Sequence, residues 1–183
     1  MMMTVAELRQ VVATEETDQA LEARLLALEL LIRAYTNNNF QARAFRTAAA
    51  AVSTGKILLM ETGGLFKAGD TLQITDSALN AGLVNVRTSS GRTVTVKEEL
   101  YDEAGITVTK VVYPEDVKRG AAAMLKWQLD KGDKAGVQSE TLSRHSVTYY
   151  NMDGDNSIMG YPSSLRGFLT PYMQARFGQG VGV

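Results

Sequence analysis

The chain has 183 residues, 45% of them apolar, and a formal net charge of −1, so it can bury a core and offers no global charge for nucleic acid or an anionic membrane. No cysteine and one histidine, His145, exclude disulfides, thiolate chemistry and the usual zinc sites. No apolar run approaches the ~20 residues of a membrane span, and the start, MMMTVAELRQ, does not resemble a signal peptide, so we expect a soluble intracellular protein.

Two helices are predicted at the start of the chain. Thr4 and Glu7 have the spacing of a capping box, which predicts a short helix from about Thr4 to Val12. A longer helix is predicted from about Thr17 to Tyr35, ended by the polar run at 36–39. Its apolar residues share one face because they recur at helical spacing; they are Leu21, Leu25, Leu28, Ile32 and Tyr35.

The second helix also has an apolar back face, and only a narrow polar stripe (Glu22, Glu29, Arg33) accompanies it. A helix that is apolar on two faces must bury both. It is either the central helix of a small bundle or it packs one face against a neighbouring subunit. Both interpretations stay open for the back face, which consists of Ala23, Leu26, Ala27, Leu30 and Ala34.

Short runs of β-prone residues replace the helical pattern between Phe40 and Val112. Turns separate the runs about every ten residues, and Thr88–Gly91 has the composition of a hairpin loop. This pattern predicts a small β-barrel or sandwich, although the alanine run Ala48–Ala51 fits it poorly. The predicted strands are Ile57–Met60, Thr71–Ile74, Leu83–Val86, Arg92–Val96 and Ile106–Val112.

Helical patterning returns after the β-prone region. A third helix is predicted from Pro114 to about Lys131, since proline suits the first helical position. Ser143–Tyr149 is expected to be extended, and a fourth helix is expected from Pro162, kinked or restarted at Pro171. The predicted fold class is therefore α+β: a helical bundle of about four helices (1–38 and 112–183), interrupted by an inserted small antiparallel β domain (39–111).

No catalytic or cofactor chemistry emerges from the motifs. Gly55-Lys56 lacks the rest of a phosphate loop, and Asp153–Ser157 lacks the glycine and the glutamate of a calcium loop. Ser146 and His145 would point to opposite faces of a strand. The acids at 98, 99, 102 and 103 are expected to form a solvated loop. We therefore predict no catalytic residue, no metal, no cofactor and no enzyme activity.

The end of the chain is unusual in its charges. From Pro162 onward the only charged side chains are Arg166 and Arg176, which lie among aromatic residues and a leucine pair. Such a segment either docks on the chain's own helices or anchors another protein, because arginine and aromatic residues concentrate interface energy.

Four segments in a fixed order carry a family resemblance. They are the N-terminal helix pair ending at Tyr35 and its polar turn, LFKAGDTLQITDSALNAGLVNV (65–86), VVYPEDVKRGAAAML (111–125), and GVQSETLSRHSVTY followed by GYPSSLRGFLTPYMQARF (136–149 and 160–177). In these segments the chain resembles the head–tail connector (adaptor) proteins of long-tailed bacteriophages and related prophages.

The resemblance implies a structural virion protein at the head–tail interface, assembled in the host cytoplasm. About twelve subunits would form a homo-oligomeric ring of closed heterologous contacts between the portal protein and a stopper or tail-completion protein. DNA would pass through the lumen without being read, and the isolated protein can stay monomeric until the portal templates the ring.

The resemblance also implies two sets of interface residues. It makes Tyr161–Val183 the candidate portal anchor, with the candidate contacts Tyr161, Arg166, Phe168, Tyr172, Arg176 and Phe177. It gives the back face of the second helix a neighbouring subunit, with the candidate contacts Ala23, Leu26, Ala27 and Leu30. The alternative function is a non-catalytic binding module whose β domain holds a peptide or small ligand, which a deep apolar pocket in that domain would favour.

Overall fold

The computed structural model describes residues 1–61, 63–131, 139–142, 145–148, 157–158 and 160–175. The chain forms two compact units. The β unit consists of Met1–Met2 and Asn39–Tyr113, and the helical unit consists of Met3–Asn38 and the described residues from Pro114 onward. Within the described part of the chain, we find no helix with the length and apolar character that crossing a membrane requires.

Six antiparallel strands close the β unit into a barrel. They are β1 (Gln41–Ser53), β2 (Ile57–Leu59), β3 (Thr71–Thr75), β4 (Gly82–Ser90), β5 (Thr93–Val96) and β6 (Glu103–Val111). Their order around the barrel is β1-β2-β5-β4-β3-β6, and β6 pairs with β1 to complete it. Closure gives every strand a partner on both sides, which protects the sheet from edge-to-edge aggregation.

The alternation of apolar and polar residues fills the barrel interior. In β5, for example, Val94 and Val96 are buried while Thr93 and Thr95 are partly exposed, as the period of two requires. Apolar residues from all six strands and from the β2–β3 connection form one cluster: Ala50, Val52, Leu58, Met60, Phe66, Leu72, Ile74, Val84, Val86, Val94, Val96, Ile106 and Val108.

Within its described residues, the helical unit contains three α-helices and one 3₁₀ helix. They are α1 (Val5–Arg9), α2 (Asp18–Thr36), α3 (Glu115–Lys131) and the 3₁₀ helix Ser163–Tyr172. Thr4 and Glu7 form the predicted capping box of α1. Short strands complete this unit: β7 (Ser139–Leu142) pairs with β8 (His145–Thr148), and β9 (Ser157–Ile158) pairs with β10 (Tyr161–Pro162).

The predicted fold class is wrong. The molecule is mostly a closed six-stranded antiparallel barrel with a few helices, and it is not a helical bundle interrupted by a small β domain. Two physical reasons account for the error. The β-prone runs pair over long sequence distances into one continuous core, which local patterns do not reveal. The predicted fourth α-helix is instead a 3₁₀ helix (Ser163–Tyr172), and Pro171 inside it lacks the N–H that would continue a regular helix.

The strand predictions fared better than the fold class. All five predicted strands are confirmed, and β4 pairs with β5 as a hairpin. The predicted loop Thr88–Gly91 is misplaced, because residues 88–90 pair with β5 and the turn lies at Gly91-Arg92. The alanine run Ala48–Ala51 lies in β1, where Ala50 is fully buried. Alanine favours helix, but pairing of β1 with β2 and β6 overrides this propensity. Of the segment predicted to be extended, His145–Thr148 forms β8.

Candidate interaction surfaces

No group of three or more side chains suited to bind a metal occurs in the described part of the chain. Gly55 and Lys56 form the turn between β1 and β2, and the Lys56 Nζ lies 2.6 Å from the Glu99 carboxylate. His145 and Ser146 lie in β8, but the side chains of this strand and residues 143 and 153–156 are outside the described set. The loop acids are not all freely solvated, because Glu98 accepts hydrogen bonds of 2.8 Å from the backbone and side-chain amides of Asn85.

The barrel interior is a solid apolar core. Leu58, Leu72 and Ile106 have no exposed surface, and they lie in the same cluster as the buried valines of β4 and β5. A binding module needs a concave pocket in which a ligand is buried. The filled core therefore counts against the alternative function of ligand binding inside the β unit.

The back face of α2 is exposed. Leu26 and Leu30 have 45% and 52% of their surfaces exposed, and Ala23, Ala27 and Ala34 are exposed beside them. These five residues are called the α2 stripe below. The opposite face of α2 is buried, with Leu21, Leu25, Leu28 and Ile32 at 3% exposure or less.

Two charged residues of α2 are buried, although the α2 stripe is exposed. Glu29 is fully buried and Arg33 is 9% exposed, although the sequence placed both on a narrow polar stripe beside Glu22. Charged side chains are almost never buried unless they are paired, and both residues do engage in further interactions. The helix thus buries charges while Leu26 and Leu30 face outward, the reverse of what solubility alone would select.

The described aromatic residues of the C-terminal segment contact the chain's own helices. The hydroxyl of Tyr161 donates a 3.1 Å hydrogen bond to Gln128, and its ring lies 5.7 Å from that of Trp127, both in α3. The ring of Phe168 packs directly against Gly120 of α3, leaving no room for a Cβ there. Phe168 therefore fits a helix–helix contact that only glycine permits.

Arg166 and Tyr172 make polar contacts within the same unit. Arg166 donates a hydrogen bond to the hydroxyl of Tyr35 at the end of α2, and its guanidinium lies 5.7 Å from the centre of that ring. The Tyr172 hydroxyl lies 2.9 Å from both carboxylate oxygens of Asp116. Arg176 and Phe177 lie outside the described residues.

Both tyrosines are held in their neutral, hydrogen-bonding form. Burial raises the pKa of Tyr161 above its usual range, with a smaller opposing effect from Arg24. The hydrogen bond to Asp116 is the main cause that raises the pKa of Tyr172. The neutral phenol is the form that donates a hydrogen bond to Gln128 or Asp116, and the raised pKa extends its range to higher pH.

The polar turn after α2 makes hydrogen bonds to residues 172–175 of the C-terminal segment. Asn37 and Asn38 donate side-chain hydrogen bonds of 3.0 Å to the carbonyls of Ala175 and Tyr172, and the Thr36 carbonyl accepts one of 2.8 Å from the Gln174 amide. The sequence pattern identified this turn only as a helix breaker. Its run of asparagines was the available signal, because asparagine side chains readily bond to backbone groups.

The fold and its surfaces define a small barrel-and-helix protein that exposes an apolar helix stripe. No known protein family and no curated protein matches the chain. Among solved structures, it is similar to one described as the neck of an empty GTA particle computed with C6 symmetry, over 98% of this chain and 93% of that one. The identity is 11% and the TM-score is 0.36, so the likeness carries no argument about function.

Proposed function

We propose that this chain is a non-catalytic structural subunit of a phage-type head–tail connection, forming a homo-oligomeric ring in the virion between the portal and a stopper or tail-completion protein. The observation that carries the proposal is the α2 stripe, in which Leu26 and Leu30 are exposed while Glu29 is buried. Exposed apolar patches of this kind mark surfaces that another protein covers. The ordered sequence resemblance to adaptor proteins supports the same function.

In this proposal the α2 stripe packs against a neighbouring subunit. Ala23 and Ala27 allow close approach of another backbone, while Leu26 and Leu30 supply apolar area to bury. The stripe contains no charged residue, which agrees with the depletion of charge at interface cores. The ring would close through repeated copies of this contact.

The C-terminal segment, Tyr161–Val183, is proposed to contact the portal. Its described aromatic residues dock on the segment's own unit, which would present the segment in a fixed conformation and reduce the entropy lost on binding. Met173 is 49% exposed and follows the 3₁₀ helix directly. The portal contact would therefore begin near Met173 and continue toward Arg176 and Phe177.

Electron microscopy of the full chain mixed with the portal protein of the same phage genome tests this function. We expect rings stacked on the portal, with density for the helical unit between adjacent subunits. A chain truncated after Ala175 keeps the hydrogen bonds to Asn37 and Asn38 and isolates the contribution of the last residues. A chain truncated after Tyr161 removes all of the anchor except Tyr161. If neither truncation weakens portal binding, the anchor is wrong; if the full chain forms no ring on the portal, the proposed function is wrong.

A further inference from the structure

Three turns of the β unit meet at one end of the barrel, here called the loop end (residues 54–56, 76–81 and 97–103). The Leu100 amide donates a 2.6 Å hydrogen bond to the Gly55 carbonyl, which joins the first turn to the third. Asn80 joins the second turn to the third, because its side chain accepts from the Tyr101 amide at 2.8 Å and donates to the Tyr101 carbonyl at 2.9 Å. The loop end is thus one hydrogen-bonded structure.

Glu103 is the centre of this structure. Its carboxylate accepts hydrogen bonds from the Ser77 hydroxyl at 2.6 Å, the Ala78 amide at 2.8 Å and the Asn80 side chain at 2.8 Å. Hydrogen bonds to an ionised group are stronger than those between neutral groups. The network holds the turns that carry two outward-facing apolar residues, Leu79 and Tyr101.

Leu79 and Tyr101 are among the most exposed large apolar side chains of the described residues, at 59% and 69%. A tyrosine on a fixed backbone is a favourable interface anchor, since it buries a large area with few rotatable bonds. The pair forms an apolar tip whose backbone is already in place before any partner arrives. Binding then costs less conformational entropy.

Charge is distributed unevenly over the β unit. The loop end contains five carboxylates (Asp76, Glu98, Glu99, Asp102, Glu103) and two lysines (Lys56, Lys97). Elsewhere between Asn39 and Tyr113 there are six cations (Arg43, Arg46, Lys67, Arg87, Arg92, Lys110) and two acids (Glu61, Asp70). The loop end therefore has a net negative charge and the remainder of the unit a net positive charge. One contact joins the two regions, since Arg46 lies 3.9 Å from Asp76, but the signs of their net charges still differ.

Outside the loop end, strand β1 has an apolar feature of its own, the β1 bulge (residues 42–45). Between Gln41 and Arg46 strand β1 advances five residues while β6 advances only from Val111 to Thr109, so the extra residues bulge outward. Phe45 lies on this bulge and is 43% exposed, with the Lys110 ammonium 5.5 Å from its ring centre. Exposed arginines flank it at positions 43 and 46.

We propose that the loop end of one copy docks on the β1 bulge of a second copy, with Leu79 and Tyr101 meeting Phe45. The loop end is acidic, and the arginines at positions 43 and 46 keep the bulge basic although Lys110 is paired with Asp70 at 2.7 Å. Both surfaces have an apolar centre, which favours contact between unlike patches. Two loop ends facing each other would bring acids together, so a two-fold contact through this surface is disfavoured. The contact is head-to-tail, the type that closes rings; the inference rests on the proposed ring and specifies which surfaces of the β unit meet in it.

Site-specific cross-linking tests the contact, because the chain has no cysteine of its own. Ala78 lies beside Leu79 and Ala44 lies beside Phe45, and both alanines are exposed. The full-length variants Ala78→Cys and Ala44→Cys are mixed and treated with a short bis-maleimide. We expect a cross-linked heterodimer with a yield roughly tenfold above that of either variant alone, because contacts between like-charged patches are disfavoured.

The matched control is Ala123→Cys, an exposed alanine of α3, which should give no excess of heterodimer with either variant. The inference is overturned if each variant cross-links with itself as efficiently as with the other variant. It is also overturned if no cross-link forms, either at the highest soluble concentration or on portal-bound rings. Rings seen by microscopy without the 44–78 cross-link contradict only this contact and leave the proposed function intact. A 44–78 cross-link without rings would support the contact and contradict the ring.

Discussion

The interior of the barrel and the helix α2 differ in how their leucines are covered. In the barrel, Leu58 and Leu72 have no exposed surface and belong to one continuous core. In the helical unit, α2 buries Leu21 and Leu25 but leaves Leu26 and Leu30 about half exposed. The interior of the barrel is therefore covered within one chain, whereas α2 carries apolar surface that its own unit does not cover.

This difference separates residues that stabilise the fold from residues available for assembly. The β unit encloses one complete hydrophobic core, because its barrel is closed and the interior is filled by apolar side chains. The helical unit instead uses specific contacts, such as Phe168 on Gly120 and Arg166 on Tyr35, to dock its C-terminal segment. Substitutions in the two units should consequently differ in what they damage.

The largest expected effect is in the barrel core. Leu72→Ala in β3 should lower the free energy of unfolding by about 2–5 kcal/mol, because it leaves a cavity in a close-packed interior. Leu59→Ala in β2 is the matched control, since Leu59 is 44% exposed and should change stability far less. Urea unfolding followed by circular dichroism measures both; equal losses for the two variants would mean that the barrel core is not packed as described.

An intermediate effect is expected where the C-terminal segment docks on α3. In an exposed helix interior Gly→Ala stabilises by about 1 kcal/mol, but a Cβ at Gly120 would overlap the Phe168 ring. Gly120→Ala should therefore destabilise by about 1–3 kcal/mol. The same substitution in a Phe168→Ala background should be neutral or stabilising, and a double-mutant cycle measures the coupling. Additive effects would show that the two residues do not touch.

The smallest effect concerns the Glu103 network. The hydrogen bond from Ser77 is the main cause that lowers the pKa of Glu103 below its ordinary value of 4.5, helped by the Ala78 amide. A carboxyl with a lowered folded-state pKa contributes stability that is fully present above the unfolded value and is lost as the pH falls through the folded value. Glu103→Gln should thus reduce stability modestly at neutral pH and flatten its decline below about pH 4.5.

Urea titrations at neutral and acidic pH measure this effect. The exposed acid Glu61 of the same unit provides the control variant Glu61→Gln. An acid dependence that is identical in the wild type and the Glu103→Gln variant would contradict the assigned hydrogen bonds.

The sequence predicted the local elements well. The capping box at Thr4 and Glu7, the amphipathic pattern of α2 and the alternation in β5 are signals that act within a few residues. The apolar composition of the back face of α2 also distinguishes it from an ordinary solvent-facing helix surface, and its role as a subunit contact stays a prediction. Local structure can be predicted wherever residues close together in the sequence determine the backbone conformation.

What could not be predicted depends on residues far apart in the chain. Closure of the barrel requires β1 to pair with β6, and this pairing draws the alanine run into a strand against its helical propensity. The burial of Glu29 and Arg33 likewise depends on the packing around α2. Helical periodicity alone predicted that both residues lie on the polar stripe with Glu22. The contact of Phe168 with Gly120 joins residues 48 positions apart, and no spacing rule reports it.

The most direct test of the account is whether the α2 stripe is an interface. Leu26→Gln combined with Leu30→Gln keeps good helix formers at exposed positions, so the free energy of unfolding should stay within about 0.5 kcal/mol of the wild type. Leu59→Gln, at an exposed leucine of the barrel, is the control. Mass photometry of each protein with the portal counts the bound copies: we predict a full ring for the wild type and the control and only scattered copies for the double variant. A full ring formed by the folded double variant would contradict the account.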